Sequence, residues 1–216
     1  MNDYAKGILT GVSLILCFFM FVSAKSQSKN LGDISVRSIS VFNEVGNIGI
    51  GLTSTGRGGA IGIFNSSGEV VGTLSVNDSG NNGILITYNA DGKQTAYVGS
   101  GDDGNGMLTT NNIYGKQTAY VGTSEDGAGS LKTSNAEGKM TAFIGTGESG
   151  DGHLQTFADG KKTAYLGTGE GGFGMLQTFN KYEVRTGYFG TNKDQDGIAV
   201  LSDRYGDIGW GETGKK

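Results

Sequence analysis

In 216 residues the chain carries 41 Gly, no Pro, one cysteine, one histidine and a formal net charge of −4. Its Lys and Arg are scattered, which excludes a phosphate-tracking basic stripe and nucleic acid as a partner. A lone cysteine excludes an intrachain disulfide framework and a Cys-rich zinc site, and Gly without a three-residue period excludes collagen.

Residues 1–25 read as one apolar N-terminal helix, a signal peptide or a membrane anchor. The run Gly7 to Ala24, GILTGVSLILCFFMFVSA, is uncharged. Its 18 residues are the lower limit for a helical span, at about 1.5 Å per residue across about 30 Å of hydrocarbon. Left uncleaved, it makes the membrane a partner. Val22-Ser23-Ala24 supplies the small residues a signal peptidase needs. A count of Lys and Arg on either side of the run would leave the repeats in the cytoplasm. The Gly/Asn/Thr-rich, cysteine-free body points the other way, to a chain anchored on the cell membrane or secreted, with its repeats outside the cytoplasm.

Residues 26–33 read as a polar linker, and residues 34–216 as a β-repeat domain. Ile34 to Phe42 alternates as a first strand. Val45 to Ser66 is a degenerate unit, and Gly68 to Asp91 a recognisable one. Clean copies start at Gly92 (GKQTAYVGSGDDGNGMLTTNNIY), Gly115, Gly138 and Gly160, and an altered one at Glu183, in steps of 23, 23, 22 and 23 residues. A copy from Gly206 breaks off. Degenerate units at both ends are what an array uses as caps, with Trp210 available to cover one of them.

Each unit reads as strand A, loop, strand B, turn. In strand A, Ala96 and Val98 share one face by alternation and Thr95 and Tyr97 the other. The second set recurs as Thr118/Tyr120, Thr141/Phe143, Thr163/Tyr165 and Thr186/Tyr188. Strand B adds Leu108/Thr110 and its equivalents, with Leu facing the Ala-x-Val side. Asn-Ala-Asp-Gly and its variants close each unit, since Asn and Gly accept the left-handed region. The expected fold is all-β, an elongated array of two-strand repeats after one helix. Three geometries meet the pattern. A β-solenoid stacks A on A in parallel, with ladders of like residues about 4.8 Å apart, and is the reading preferred. A hairpin meander and a trimeric β-fibre are the alternatives.

The segment Gly152 to Gly167, GHLQTFADGKKTAYLG, resembles MORN repeats, a likeness that implies hairpin arrays associated with membranes. The spacing after Tyr97-Val98-Gly99 departs from that motif. From Ile34 to Trp210 the chain also resembles β-solenoid and fibre-shaft repeats in general.

No catalytic set can be assembled. His153 stands where sister copies have Met107, Ser130 and Met175, which makes it a strand surface residue. The loop carboxylates Asp102, Asp103, Glu125, Asp126, Glu148, Asp151, Glu170, Asp194 and Asp196 read as solvated turn residues. They lack the nonapeptide pattern of calcium-binding rolls, so neither a metal nor a cofactor is implied. The Thr95/Tyr97 ladder and its repeats form the candidate binding surface. The expected function is that of a non-enzymatic structural or interaction protein of the cell envelope, a spacer or docking surface, as a homotrimer or with a partner protein. The alternative is a carbohydrate-binding or carbohydrate-active β-helix protein.

Overall fold

A computed structural model describes residues 2–23, 35–79, 82–147, 149–169 and 171–215. The linker expected over 26–33, together with Ala24 and Ile34, lies outside them. The chain divides into two units, Met1–Val36 and Arg37–Lys216.

In the first unit, helix α1 runs Asp3–Ser23. The Thr10 and Ser13 hydroxyls donate to the carbonyls of Lys6 and Leu9, each at 2.9 Å, so these polar groups are satisfied within the helix. Lys6 pairs with Asp3 in its first turn at 3.3 Å. Among the described residues no helix is long and apolar enough to cross a membrane. The described side chains of the Gly7–Ala24 run end at Phe18, and its last third lies outside them.

The second unit is one sheet. Its strands are β1 (Ser38–Phe42), β2 (Ile48–Thr55), β3 (Gly58–Phe64), β4 (Val70–Val76), β5 (Gly83–Tyr88), β6 (Gln94–Ser100), β7 (Gly106–Asn111) and β8 (Gln117–Thr123). They continue as β9 (Gly129–Ser134), β10 (Met140–Thr146), β11 (Gly152–Ala158), β12 (Lys161–Thr168), β13 (Gly174–Phe179), β14 (Arg185–Thr191), β15 (Gly197–Ser202) and β16 (Ile208–Thr213). All 16 strands lie in chain order, each antiparallel to the next. The all-β repeat array is therefore present, with the pairing of a hairpin meander. The parallel A-on-A pairing preferred from the sequence does not occur. The reason lies in the turns. Each short connection closes as a tight hairpin that returns the chain beside the strand it has just left, so strand A pairs with strand B and not with the next A.

Almost every connection is the same five-residue hairpin. At residues 135–139, Asn135 N–H donates to the Lys139 carbonyl (2.8 Å) and Gly138 N–H to the Asn135 carbonyl (3.0 Å). The Asn135 side chain accepts from the Glu137 and Lys139 amides at 3.1 and 2.9 Å. Gly138 takes φ +85°, where a side chain would be strained. Asn43, Asn65, Asn89, Asn112 and Asn180 cap the turns on this edge in the same way, and Asp203 replaces them in the last. The other edge repeats the backbone pattern from Gly101, Ser124, Gly147, Gly169 and Asn192. Side-chain amides stitch neighbouring turns together, as in Asn112 to the Ala136 carbonyl (2.8 Å) and Asn105 to the Ser124 carbonyl (3.1 Å). The 22-residue step has its own cause. Asp159 and Gly160, at φ 51° and 79°, form a two-residue turn flanked by the pair Ala158–Lys161, so the return from Thr156 to Ala164 is one residue shorter than that from Thr133 to Ala142.

Within the second unit the sheet has one layer. Among the described residues no strand touches any strand but its neighbours in order, and no hydrophobic side chain is buried. Glycines set how closely the strands pack. A Cβ on Gly122 would stand 2.7 Å from the Gly106 carbonyl and 2.9 Å from Met107 Cα. Those are backbone atoms of the paired strand and cannot turn aside. Gly122→Ala is expected to cost about 1–3 kcal/mol, as overpacking does, read as a lower urea midpoint at unchanged slope.

Candidate functional site

The candidate surface is built on a β-bulge that recurs at each return from strand B to strand A. The register shifts by one residue between Thr110 and Asn111, and the equivalent shift occurs at Thr87, Thr156 and Thr178. From β5 to β14 the extra residue is the ladder threonine. Thr95, Thr118, Thr141, Thr163 and Thr186 thereby meet Thr87, Thr110, Thr133, Thr156 and Thr178, hydroxyl to hydroxyl, at 2.8, 3.1, 2.9, 2.8 and 3.4 Å. Thr87 lies two residues from Leu85, on the aliphatic side of the sheet. The bulge thus divides the expected surface. The threonines close pairs on the aliphatic face, while Tyr97, Tyr120, Phe143, Tyr165 and Tyr188 line the opposite one.

On the aromatic face each tyrosine ring lies along its own strand. Tyr97, Tyr120, Tyr165 and Tyr188 donate their hydroxyls to the carbonyls of Ser100, Thr123, Thr168 and Thr191 at 2.6, 2.7, 2.7 and 2.9 Å. Between them lies the glycine of each strand A, paired with a bulkier neighbour such as Met107, His153 or Met175. His153 stacks between Phe143 and Tyr165 at ring distances of 5.0 and 5.4 Å. Lys132 lies over Tyr120 and Phe143, Lys162 over Tyr165 and Phe179, and Arg185 over Tyr188, all within 6 Å. Rings and cation stems cover this face from within the chain. Thr109, between Tyr97 and Tyr120, is only 9% exposed.

The aliphatic face is the reverse. One apolar residue per strand lines up across the sheet, from Ile39 and Leu52 through Val98, Leu108 and Val121 to Leu176 and Phe189, ending at Ala199. From β2 to β15 the row and the positions two residues to either side hold only Gly, Ala, Val, Leu, Ile, Phe, Ser and Thr. Leu108, next to the buried Thr109, is 40% exposed, Leu74 52% and Phe189 68%. Trp210, opposite Leu201, is 49% exposed and lies on β16, the last strand of the sheet. The sequence signal for this row is the Val/Leu alternation. Its unbroken extent depends on pairing that only the hairpin order supplies.

The loop carboxylates serve the turns. Asp103 accepts from the backbone and side chain of Asn105, Asp126 from the Ala128 amide, and Asp102 from the Asn77 amide. Glu148 and Glu170 lie outside the described residues. Among the described residues no three His, Cys, Asp or Glu side chains group as metal ligands would. An open hollow of about 560 Å³ between Tyr120, Lys132 and the turn carrying Glu125 and Asp126 is one of several shallow depressions. No protein-family model matches the chain, and no curated protein matches it.

Burial, and secondarily the Asp102 carboxylate, push the Tyr97 phenol above its ordinary 10.0. The folded state therefore holds this proton more tightly than the unfolded chain. The associated stability is complete below pH 10.0 and is lost as pH rises through the folded value. Urea titrations at about pH 9 and about pH 11 are expected to show a larger alkaline loss for the wild type than for Tyr97→Phe.

Proposed function

We propose that this chain is a non-enzymatic structural or interaction protein of the cell envelope, carried there by its N-terminal segment, whose strand repeats form a spacer with a docking surface. One observation carries the proposal: burial is inverted. Polar Thr109 and Ser130 are buried while the aliphatic row beside them is open. Ordering each residue costs on the order of 1–2 kcal/mol of backbone entropy, and apolar burial is the main term that offsets it. A sheet that leaves its one continuous apolar face uncovered is therefore incomplete until a partner covers it. The finer form of the proposal is a β-fibre in which copies of the chain wind together. We favour docking over the carbohydrate reading because the tyrosine hydroxyls are already held by the backbone and cation stems already lie on the rings.

A covered face makes a clear demand. Placing Lys at Leu131 and Leu166 puts two charges where water is excluded, at several kcal/mol each. We expect the full-length double variant to melt roughly 10–20 °C below the wild type. Gln155→Lys, on the aromatic face at the position Lys132 occupies two strands earlier, should shift the melting temperature by only a few degrees. Equal melting of the double variant and the wild type would overturn the reading.

A further inference from the structure

We infer that the occupant of the aliphatic face is the same face of further copies of this chain, packed sheet against sheet. This rests on the docking reading and names its partner.

Size excludes the chain's own helix as a sufficient cover. The 21 residues of α1 reach about 31 Å at 1.5 Å per residue. The row crosses 15 strands, about 70 Å at about 4.8 Å per strand. Size also suits a second copy. A band about 70 Å long and about 15 Å wide presents roughly 1,000 Å² per copy, above the roughly 800 Å² per partner of a standard stable interface.

Periodicity points to an identical partner. The face offers one aliphatic side chain per strand spacing, flanked by Gly, Ala, Ser and Thr. A surface that matches this over the full row must repeat at the same spacing, and another copy of the sheet does so by construction. Packed face to face about 10 Å apart, two such surfaces interdigitate as the inner faces of a sandwich do.

Charge selects which face self-associates. The aromatic face carries Lys132, Lys162 and Arg185, which would confront their own copies. The aliphatic face has no charge from β2 to β15, so copies meet there without repulsion or a charge to desolvate.

The test uses the full-length chain and its mass by light scattering, with covalent trapping. Val121 is the central position of the row, so it faces itself whether two copies run in the same or in opposite directions. In a Cys17→Ser background, Val121→Cys is expected to form disulfide-linked pairs on mild oxidation, while Lys132→Cys on the opposite face is not. The wild type should be a dimer or trimer, and Leu131→Lys with Leu166→Lys should reduce it to a monomer. An oligomer that survives those lysines, or one trapped through residue 132 and not 121, overturns the inference. A monomeric wild type that still loses thermal stability with the lysines overturns self-association and leaves the covered-face reading standing. A monomer indifferent to them overturns both.

Discussion

A one-layer sheet has two faces and no interior, and this constraint governs the second unit. Each strand is held only by its neighbours, through backbone hydrogen bonds and the side chains that stand beside one another on each face. Stability then accumulates strand by strand, as nearest-neighbour terms do in other repeat arrays. The turns are what such an array can least do without. Every hairpin fixes the register of the next strand, and the Asn-capped five-residue turn supplies the same register each time.

The two faces solve their exposure differently. The aromatic face is closed by the chain itself. A ring lies along each strand A, a glycine lets the paired backbone approach, and a Met, His or Ile side chain stands opposite that glycine. Cation stems then lie over the rings and keep their charges in water. The aliphatic face has no such cover. Its side chains are short, branched and uncharged, suited to packing against another surface and poorly suited to water.

Much of this was legible in the sequence. The repeat step, the strand positions, the Val/Leu face and the Asn-Gly turns follow from alternation and turn chemistry. Pairing direction did not, because ladders of like residues look the same whether a strand meets its copy directly or through an intervening hairpin partner. Here Tyr97 and Tyr120 are separated by Thr109. The placement of the threonines also failed. Strict alternation puts Thr95 beside Tyr97, and a bulge breaks alternation at that residue. The clue available was Thr110 and its equivalents, since a second threonine two residues past each strand-B Leu stands ready to receive the bulged hydroxyl.

The bulge is also what makes the aliphatic row continuous. Counting back from the turn at 112–116, Asn111 pairs with Gln117, and one further step without a bulge would pair Thr110 with Thr118. Leu108 would then lie opposite Tyr120, and the aliphatic and aromatic positions would exchange faces at every second strand. The extra residue at Thr118 moves the partner of Thr110 to Ala119 and brings Leu108 opposite Val121. Because side chains alternate with a period of two, a single inserted residue is enough to do this. The Thr110–Thr118 hydroxyl pair at 3.1 Å stands at the point where the register changes. The threonine ladder thus acts through the backbone, as the device that keeps one face aliphatic from β5 to β14, and the same bulge at Gly49 and Val71 does so for the strands before it.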